Sequence, residues 1–288
     1  MNPTEPRFDF RALARIEAKD NLSLLPVVEK ELIHYDILRA MQDNGFLERL
    51  CFQGGTALRL CYGSDRFSED LDFTGGIDFN HASMNQLKEC IEDYLAAQYG
   101  LQVEVKPPKE KKHTRVAVSS WQVKVITAQG RPDIAAQKIK IEVANVPSYS
   151  RELSQVAENY ALLSGVPLIV GVESLEEIMA DKLLAFPVSD KAIRYRDIWD
   201  LHWLSLKRAV PNSNLVRLKL KDYGVEHYQE KRLKCIQNLP SIIEGVDFQN
   251  QMSRFLKRET IANTIDRADV RLAMLGSVTR LLERCDDA

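Results

Sequence analysis

The sequence predicts an α+β fold: a mixed sheet with flanking helices over residues 1–170, followed by a helical C-terminal domain over 171–288. Three observations carry that expectation. Helix-spaced apolar positions fill 22–50 and 84–99, β-branched alternating runs occupy the stretch between 101 and 143, and helical spacing dominates after Pro167. The border between the halves falls near 165–175, and no internal repeat or low-complexity tract interrupts the chain.

Taken in order, Leu22–Leu50 spaces Leu25, Val28, Leu32, Ile37, Leu38 and Met41 as an amphipathic helix pair does. Cys51 and Phe52 form a short apolar run that meets Gly54, Gly55 and Thr56, and Ala57–Leu60 then resumes a helical pattern. This reads as strand, tight turn, helix. Phe67–Phe73 alternates, with Leu71 and Phe73 on one face and Asp70 and Asp72 on the other, so a strand is expected there. Met84–Tyr99 is a further amphipathic helix. Leu101–Val105, Val116–Ile126 and Ile139–Val143 read as successive strands, separated by a cationic segment at 106–115 and a turn at Gly130–Asp133. Leu175–Phe186 and Asp190–Leu206 open the helical half, which runs on to Arg284.

Composition narrows the functional classes. With 45% apolar and 28% charged residues, the chain is an ordinary globular protein. Its opening, MNPTEPRFDF, is polar, and no window approaches the roughly 20 apolar residues of a bilayer span. The five cysteines, Cys51, Cys61, Cys90, Cys235 and Cys285, are scattered and never in C-x-x-C spacing. That argues against a disulfide framework or a zinc knuckle, and a cytoplasmic protein without a membrane partner is expected. A net charge of −2 excludes a polycation, so nucleic-acid binding must rest on a local patch. Lys106, Lys109, Lys111, Lys112, His113 and Arg115 supply one, with a solvated hairpin tip as the competing reading.

Four features carry chemistry. Gly54 and Gly55, between a strand and a helix, let backbone approach a ligand closely, and the N–H groups of the helix start favour a phosphate. Thr56 there is also a candidate N-cap. Asp70 and Asp72, two apart on a strand, point to the same side, and paired carboxylates repel unless a cation sits between them. Mg²⁺ with substrate phosphates is the usual cation, and solvated strand decoration is the alternative. On the strand Ile139–Val143, Glu142 lies opposite the apolar face and is the candidate third carboxylate, against an outward edge-strand glutamate flanked by lysines. Lys182 falls on the apolar stripe Leu175, Ile178, Met179, Leu183 and Phe186, while Asp197 and Asp200 share a face with Leu201 and Leu204. A Lys182–Asp197 or Lys182–Asp200 pair resolves both oddities, either as a structural ion pair or as a phosphate-binding lysine held by an aspartate. Tyr195 and Trp199 nearby suit base stacking or plain helix packing.

The run from Phe52 through Gly54, Gly55 and Thr56 to Leu60, and the run from Arg66 through Asp70 and Asp72 to Phe73, resemble the AbiEii/AbiGii nucleotidyltransferase family. These are toxins of type IV toxin–antitoxin and phage abortive-infection systems. Ala180–Leu184 and Arg196–Leu201 resemble that family's later motifs, and the likeness spans roughly 25–205 in the same order. The resemblance implies a polymerase-β-like nucleotidyltransferase fold with Gly54, Gly55 and Thr56 against the triphosphate of an NTP. It implies Asp70 and Asp72 as ligands of Mg²⁺ or Mn²⁺, Lys182 on the triphosphate, and Asp197 as an essential acid, the helical domain contributing Lys182 and Asp197 to the cleft. Some members transfer a nucleotide to the 3′ end of tRNA, which makes RNA the expected acceptor and a cognate antitoxin the expected partner. A protein or small-molecule acceptor, or a non-catalytic module that binds an antitoxin or RNA, are the rival readings.

Overall fold

The structure is a computed structural model that describes residues 9–18, 22–109, 116–160, 167–189 and 192–285. The chain groups into two compact units: residues 1–63, 67–147 and 152–172 form the first, and residues 64–66, 148–151 and 173–288 the second.

The first unit is built on a sheet of seven strands: β1 Cys51–Gln53, β2 Leu71–Thr74, β3 Gln102–Lys106, β4 Val118–Ile126, β5 Gln137–Ala144, β6 Arg151–Gln155 and β7 Ile169–Glu173. Their order is β3-β4-β5-β2-β1-β7-β6. β1 pairs antiparallel with β2 and parallel with β7, β2 pairs parallel with β5, and β3, β4 and β5 form an antiparallel run. The sheet is therefore mixed. Alternation sets its apolar face. Phe52 and Phe73 are register partners whose stacked rings lie 5.0 Å apart, and Leu71 pairs with Ile141 as Phe73 does with Val143. All of these are buried. The same period places Asp72 and its register partner Glu142 on the opposite face.

Helix α1 (Phe10–Ala18), α2 (Leu25–Asp43), α3 (Gly54–Tyr62) and α4 (Leu87–Tyr99) flank this sheet. Where the spacing predicts a helix pair over 22–50, the structure has the single helix α2 between two 3₁₀ turns. α2 is buried on nearly every side, and its polar residues survive burial because each finds a partner. Glu29 accepts from Arg11, Thr127 and Gln137, and Glu31 takes Arg59 and Asn159. Asp36 accepts the Tyr99 hydroxyl at 2.9 Å.

Burial pushes the Asp36 carboxyl up to about 7, against the opposing pull of the Tyr99 hydroxyl and Arg39. The native state thus holds a proton that the unfolded chain releases near the ordinary carboxylate value. The stability this group contributes is complete below about pH 4 and is lost as the pH rises through about 7. Asp36→Asn should therefore flatten the alkaline side of the stability curve. Melting curves at pH 5.5 and 8.5 check this, the variant gaining on the native protein at the higher pH.

The structure also corrects several sequence expectations. The strand expected over Phe67–Phe73 begins only at Leu71, because the preceding residues are held by side chains of α2 and α3 rather than by a ladder. The helix expected over Met84–Tyr99 starts at Leu87, after a 3₁₀ turn capped by the Asn80 side chain. After Pro167 the chain forms β7 before any helix, and β6 precedes it. The apolar run Leu168–Val172 falls largely in β7, parallel to β1 and buried except at Ile169, a pattern that periodicity alone cannot separate from helix.

The second unit contains α5 (Leu175–Val188), α6 (Tyr195–Leu206), α7 (Ser213–Tyr223), α8 (Tyr228–Glu244), α9 (Val246–Ser253), α10 (Arg258–Asn263) and α11 (Ala268–Glu283). Asp190, the expected start of the second helix, lies outside the described residues. Ser174 caps α5 through its hydroxyl, which accepts the Glu177 N–H at 3.2 Å. The centre of this unit is Lys219 on α7, fully buried, with its ammonium 3.1 Å from Glu173, 2.7 Å from Glu177 and 3.2 Å from Asp181. Glu177 also accepts the N–H groups of Tyr149 and Ser150, at 2.9 and 2.5 Å. No helix among the described residues is long and apolar enough to cross a membrane.

Candidate active site

The acidic residues of the first unit are held by their backbone surroundings. Helix α3 begins directly at β1, with Gln53 in extended conformation before it and no side-chain cap. The N–H groups of its first turn therefore have no intrahelical acceptor, an arrangement suited to an anion. Gly54 has φ +77°, and a Cβ there would stand 2.9 Å from Oδ2 of Asp72. Only glycine leaves that carboxylate where it is. Thr56 sits within the first turn of α3 rather than at its N-cap, and its hydroxyl donates to the carbonyl oxygen of Asp70. It ties the Asp70 segment to the glycine turn.

Gly54→Ala forces both a left-handed alanine and a clash with Asp72, and should cost about 1–2 kcal/mol of stability. Transferase activity should fall at least tenfold, more than the loss of folded protein explains. Thermal melts beside kcat/KM measurements separate the two effects.

Two residues of α2 complete the support. His34 Nε2 donates to the Glu69 carbonyl at 3.0 Å, and Lys30 pairs with the Glu69 carboxylate at 2.7 Å. Burial lowers the His34 pKa, so the ring is neutral, and because a carbonyl only accepts, Nε2 carries the proton. Neither residue was singled out from sequence. The available signal was a histidine directly after the apolar pair Leu32 and Ile33.

Asp70 is half-buried just ahead of β2, and its Oδ1 accepts the Lys140 N–H at 2.9 Å. Asp72 is half-buried on β2 between Gln53 of β1 and Glu142 of β5. Glu142 accepts the Ser120 hydroxyl at 3.1 Å and lies 4.0 Å from the Lys140 ammonium. β5 is an interior strand, which removes the edge-strand reading of Glu142. The structure thus brings Gly54, Asp72 and Glu142 side by side, with Thr56 and Asp70 joined next to them. Among the described residues, no three His, Cys, Asp or Glu side chains close into a ready-made metal cluster. The donor set is nonetheless hard and all-oxygen, and Mg²⁺ needs only one or two carboxylates because it keeps waters and takes substrate phosphates. Asp70 and Asp72, beside a cradle that a Cβ would fill, fit such an ion.

In the second unit, Lys182 pairs with both aspartates at once: its ammonium is 2.7 Å from Asp197 and 2.7 Å from Asp200. Each aspartate has its own arginine. Arg66 grips Asp200 with two parallel bonds of 2.8 Å, and Arg194 donates to Asp197. Burial disfavours both carboxylates. For Asp197, the Lys182 and Arg194 charges more than compensate, and for Asp200 the Arg66 and Lys182 charges do, so both pKa values lie below the usual range. Two of the three donors of Lys182 are used in this way, and the third has no acceptor among the described residues. Sequence reasoning missed Arg66 as a member of this network. Tyr195 and Trp199 serve packing: Tyr195 lies 6.4 Å from the ring of Phe248, and Trp199 is buried.

Of the cationic segment, Lys106 ends β3 in solvent, 3.4 Å from Glu104, and Lys109 is exposed. Lys111, Lys112, His113 and Arg115 lie outside the described residues.

The family model described as nucleotidyl transferase AbiEii toxin, type IV toxin–antitoxin system, matches residues 36–271. Among solved structures, the chain is similar to MenT4, a nucleotidyltransferase toxin from Mycobacterium tuberculosis. Identity is 19% and the TM-score 0.56, over 96% of this chain and 94% of that one. It also matches JHP933 from Helicobacter pylori at 18% identity and a TM-score of 0.46, over 91% and 94% of the two chains. No curated protein sequence matches.

Proposed function

Because the chain belongs to the AbiEii family of nucleotidyltransferase toxins of type IV toxin–antitoxin systems, we propose that it transfers a nucleoside monophosphate from an NTP to the 3′ end of an RNA, a tRNA first of all, with release of pyrophosphate. The observation that carries the reading is the position of the Asp72 carboxylate, where a Cβ on Gly54 would meet it, which sets an anion-receptive helix start beside an acidic side chain. In this reading the N–H groups at Gly54, Gly55 and Thr56 hold the triphosphate, and the third donor of Lys182 takes a phosphate oxygen. Asp197 and Asp200 fix that lysine. Asp70 and Asp72 hold Mg²⁺, and Glu142 stands beside Asp72 as the third carboxylate. When bound, the metal lowers the pKa of the acceptor hydroxyl and offsets charge on the phosphates. Thr56 holds the Asp70 backbone, His34 and Lys30 hold the adjoining Glu69, and the Lys140 N–H holds the Asp70 carboxylate, so that carboxylate needs little reorganisation as charge develops. The reading includes a cognate antitoxin as partner and a cytoplasmic setting.

The test is incubation with total tRNA, Mg²⁺ and each labelled NTP in turn, beside parallel reactions offering a protein extract or an aminoglycoside. Label on the tRNA 3′ end supports the reading. Label confined to protein or to the small molecule replaces the acceptor, and no label in any reaction from folded protein points to a non-catalytic module.

A further inference from the structure

The helical unit contains a cavity of about 480 Å³ whose lining includes none of Lys182, Asp197 and Asp200. Three arginines line it: Arg208, in the loop after α6, and Arg280 and Arg284, at the end of α11. Among the described residues, none of these three guanidiniums has a hydrogen-bonded or ion-pair partner, and no carboxylate lines the cavity. Unpaired arginines gathered in one concavity form a fork-shaped receptor for oxyanions.

The floor is a fixed hydrogen-bonded pair. The Ser277 hydroxyl donates to the Met274 carbonyl at 2.9 Å, so its oxygen is left to accept from His202 Nδ1, 2.8 Å away. Burial lowers the His202 pKa, which leaves the arginines as the cationic groups of the cavity. Arg208 itself is unusual. The Arg208 and Ala209 N–H groups bond back to Ser205 and Leu204, each at 3.1 Å, which places Arg208 at the helix-ending position where glycine is the common occupant. Its φ is +63°. A long cationic side chain thus occupies a backbone position that disfavours any side chain.

The cavity is larger than one phosphate and falls in the range of ligand sites. Leu206 and Val210 also line it and are 67% and 63% exposed, offering apolar surface beside the guanidiniums. A nucleotide unit presents that combination: a phosphodiester for the arginines, and a ribose and base for the apolar wall.

We propose that Arg208, Arg280 and Arg284 form a second RNA-holding site, which grips a backbone phosphate of the acceptor strand and is separate from the residues that carry the transfer. The inference rests on the RNA-acceptor reading above.

The test measures binding of labelled tRNA and of a short single-stranded RNA across a salt series, using the native protein, Arg280→Gln/Arg284→Gln and Arg208→Gly. Inorganic phosphate and poly-glutamate serve as further ligands. The double variant should bind RNA at least tenfold more weakly, with a salt slope smaller by about 1.5 to 2, as two lost phosphate contacts require. NTP binding should be unchanged. Arg208→Gly should weaken RNA binding while its Tm holds or rises, a combination that a purely structural arginine does not give. If the native protein binds RNA and the variants bind it equally well, the site is wrong and the RNA reading stands; the arginines then only complement the carboxyl ends of α6 and α11. Binding of poly-glutamate or inorganic phosphate at this site without RNA binding there also overturns it. If the native protein neither binds nor labels RNA, the acceptor reading fails first and this site falls with it.

Discussion

Replacing Asp72 by asparagine lowers kcat/KM for nucleotide transfer by about 10³-fold or more while the protein stays folded. The side chain keeps its size and loses only its charge, so packing on β2 is preserved. Its register neighbour across β5 is Glu142, and like charges on paired strands are unfavourable. In metal-free protein the substitution relieves that repulsion, so Tm holds or rises. A loss of about 4 kcal/mol in transition-state stabilisation gives the thousandfold effect, the scale expected when a group that fixes the metal is removed. Steady-state kinetics and melting curves on the same samples check the pair of outcomes. If Tm falls and activity falls only in proportion to unfolded protein, Asp72 is a structural residue.

Lys219→Met destabilises the second unit by about 3–5 kcal/mol, the range for removing one partner of a buried ion cluster. The ammonium is fully buried against Glu173, Glu177 and Asp181, and these acids raise its pKa despite burial. Methionine fills the volume and leaves the carboxylates without their cation. The acids do not contribute equally. Burial, reinforced by Asp181, raises the Glu173 carboxyl above the ordinary carboxylate value, so its surroundings work against its charged form. Glu173→Gln keeps the side chain's volume and leaves Glu177 and Asp181 on the ammonium, so it should cost less stability than Lys219→Met. Urea unfolding of both variants is the measurement, and comparable losses in the two would mean that the charge of Glu173 is needed to hold Lys219.

The contrast between these residues shows what was legible before the structure. Asp72 and the glycine turn are local patterns, readable because alternation on β2 and short spacing decide which way side chains point, whereas Asp70 lies ahead of that strand, where alternation does not apply. Lys182 and the two aspartates were readable as charges misplaced on apolar faces, and the structure pairs Lys182 with both of them. Residues whose meaning lies in distant partners were not readable. Lys219 meets acids 38 to 46 positions away, and Arg66 meets Asp200 134 positions away. In the sequence alone, α2 looked like an ordinary amphipathic segment, because the partners that let Glu29, Glu31 and Asp36 be buried come from α1, α3, α4 and the loops around the sheet. β6 and β7 were missed for a different reason. Five residues are too few for periodicity to separate strand from helix, and the parallel pairing of β7 with β1 is a long-range event.

The measurement that bears most directly on the central claim is Mn²⁺ binding, followed by electron paramagnetic resonance, in the presence of an NTP analogue that resists cleavage between its α- and β-phosphates. Native protein and Asp70→Asn/Asp72→Asn are compared, with circular dichroism to establish that both are folded. Nucleotide-dependent Mn²⁺ binding by the native protein and its loss in the double variant are the predicted result. Equal binding by the two proteins would contradict the assignment of Asp70 and Asp72 as the metal-holding pair.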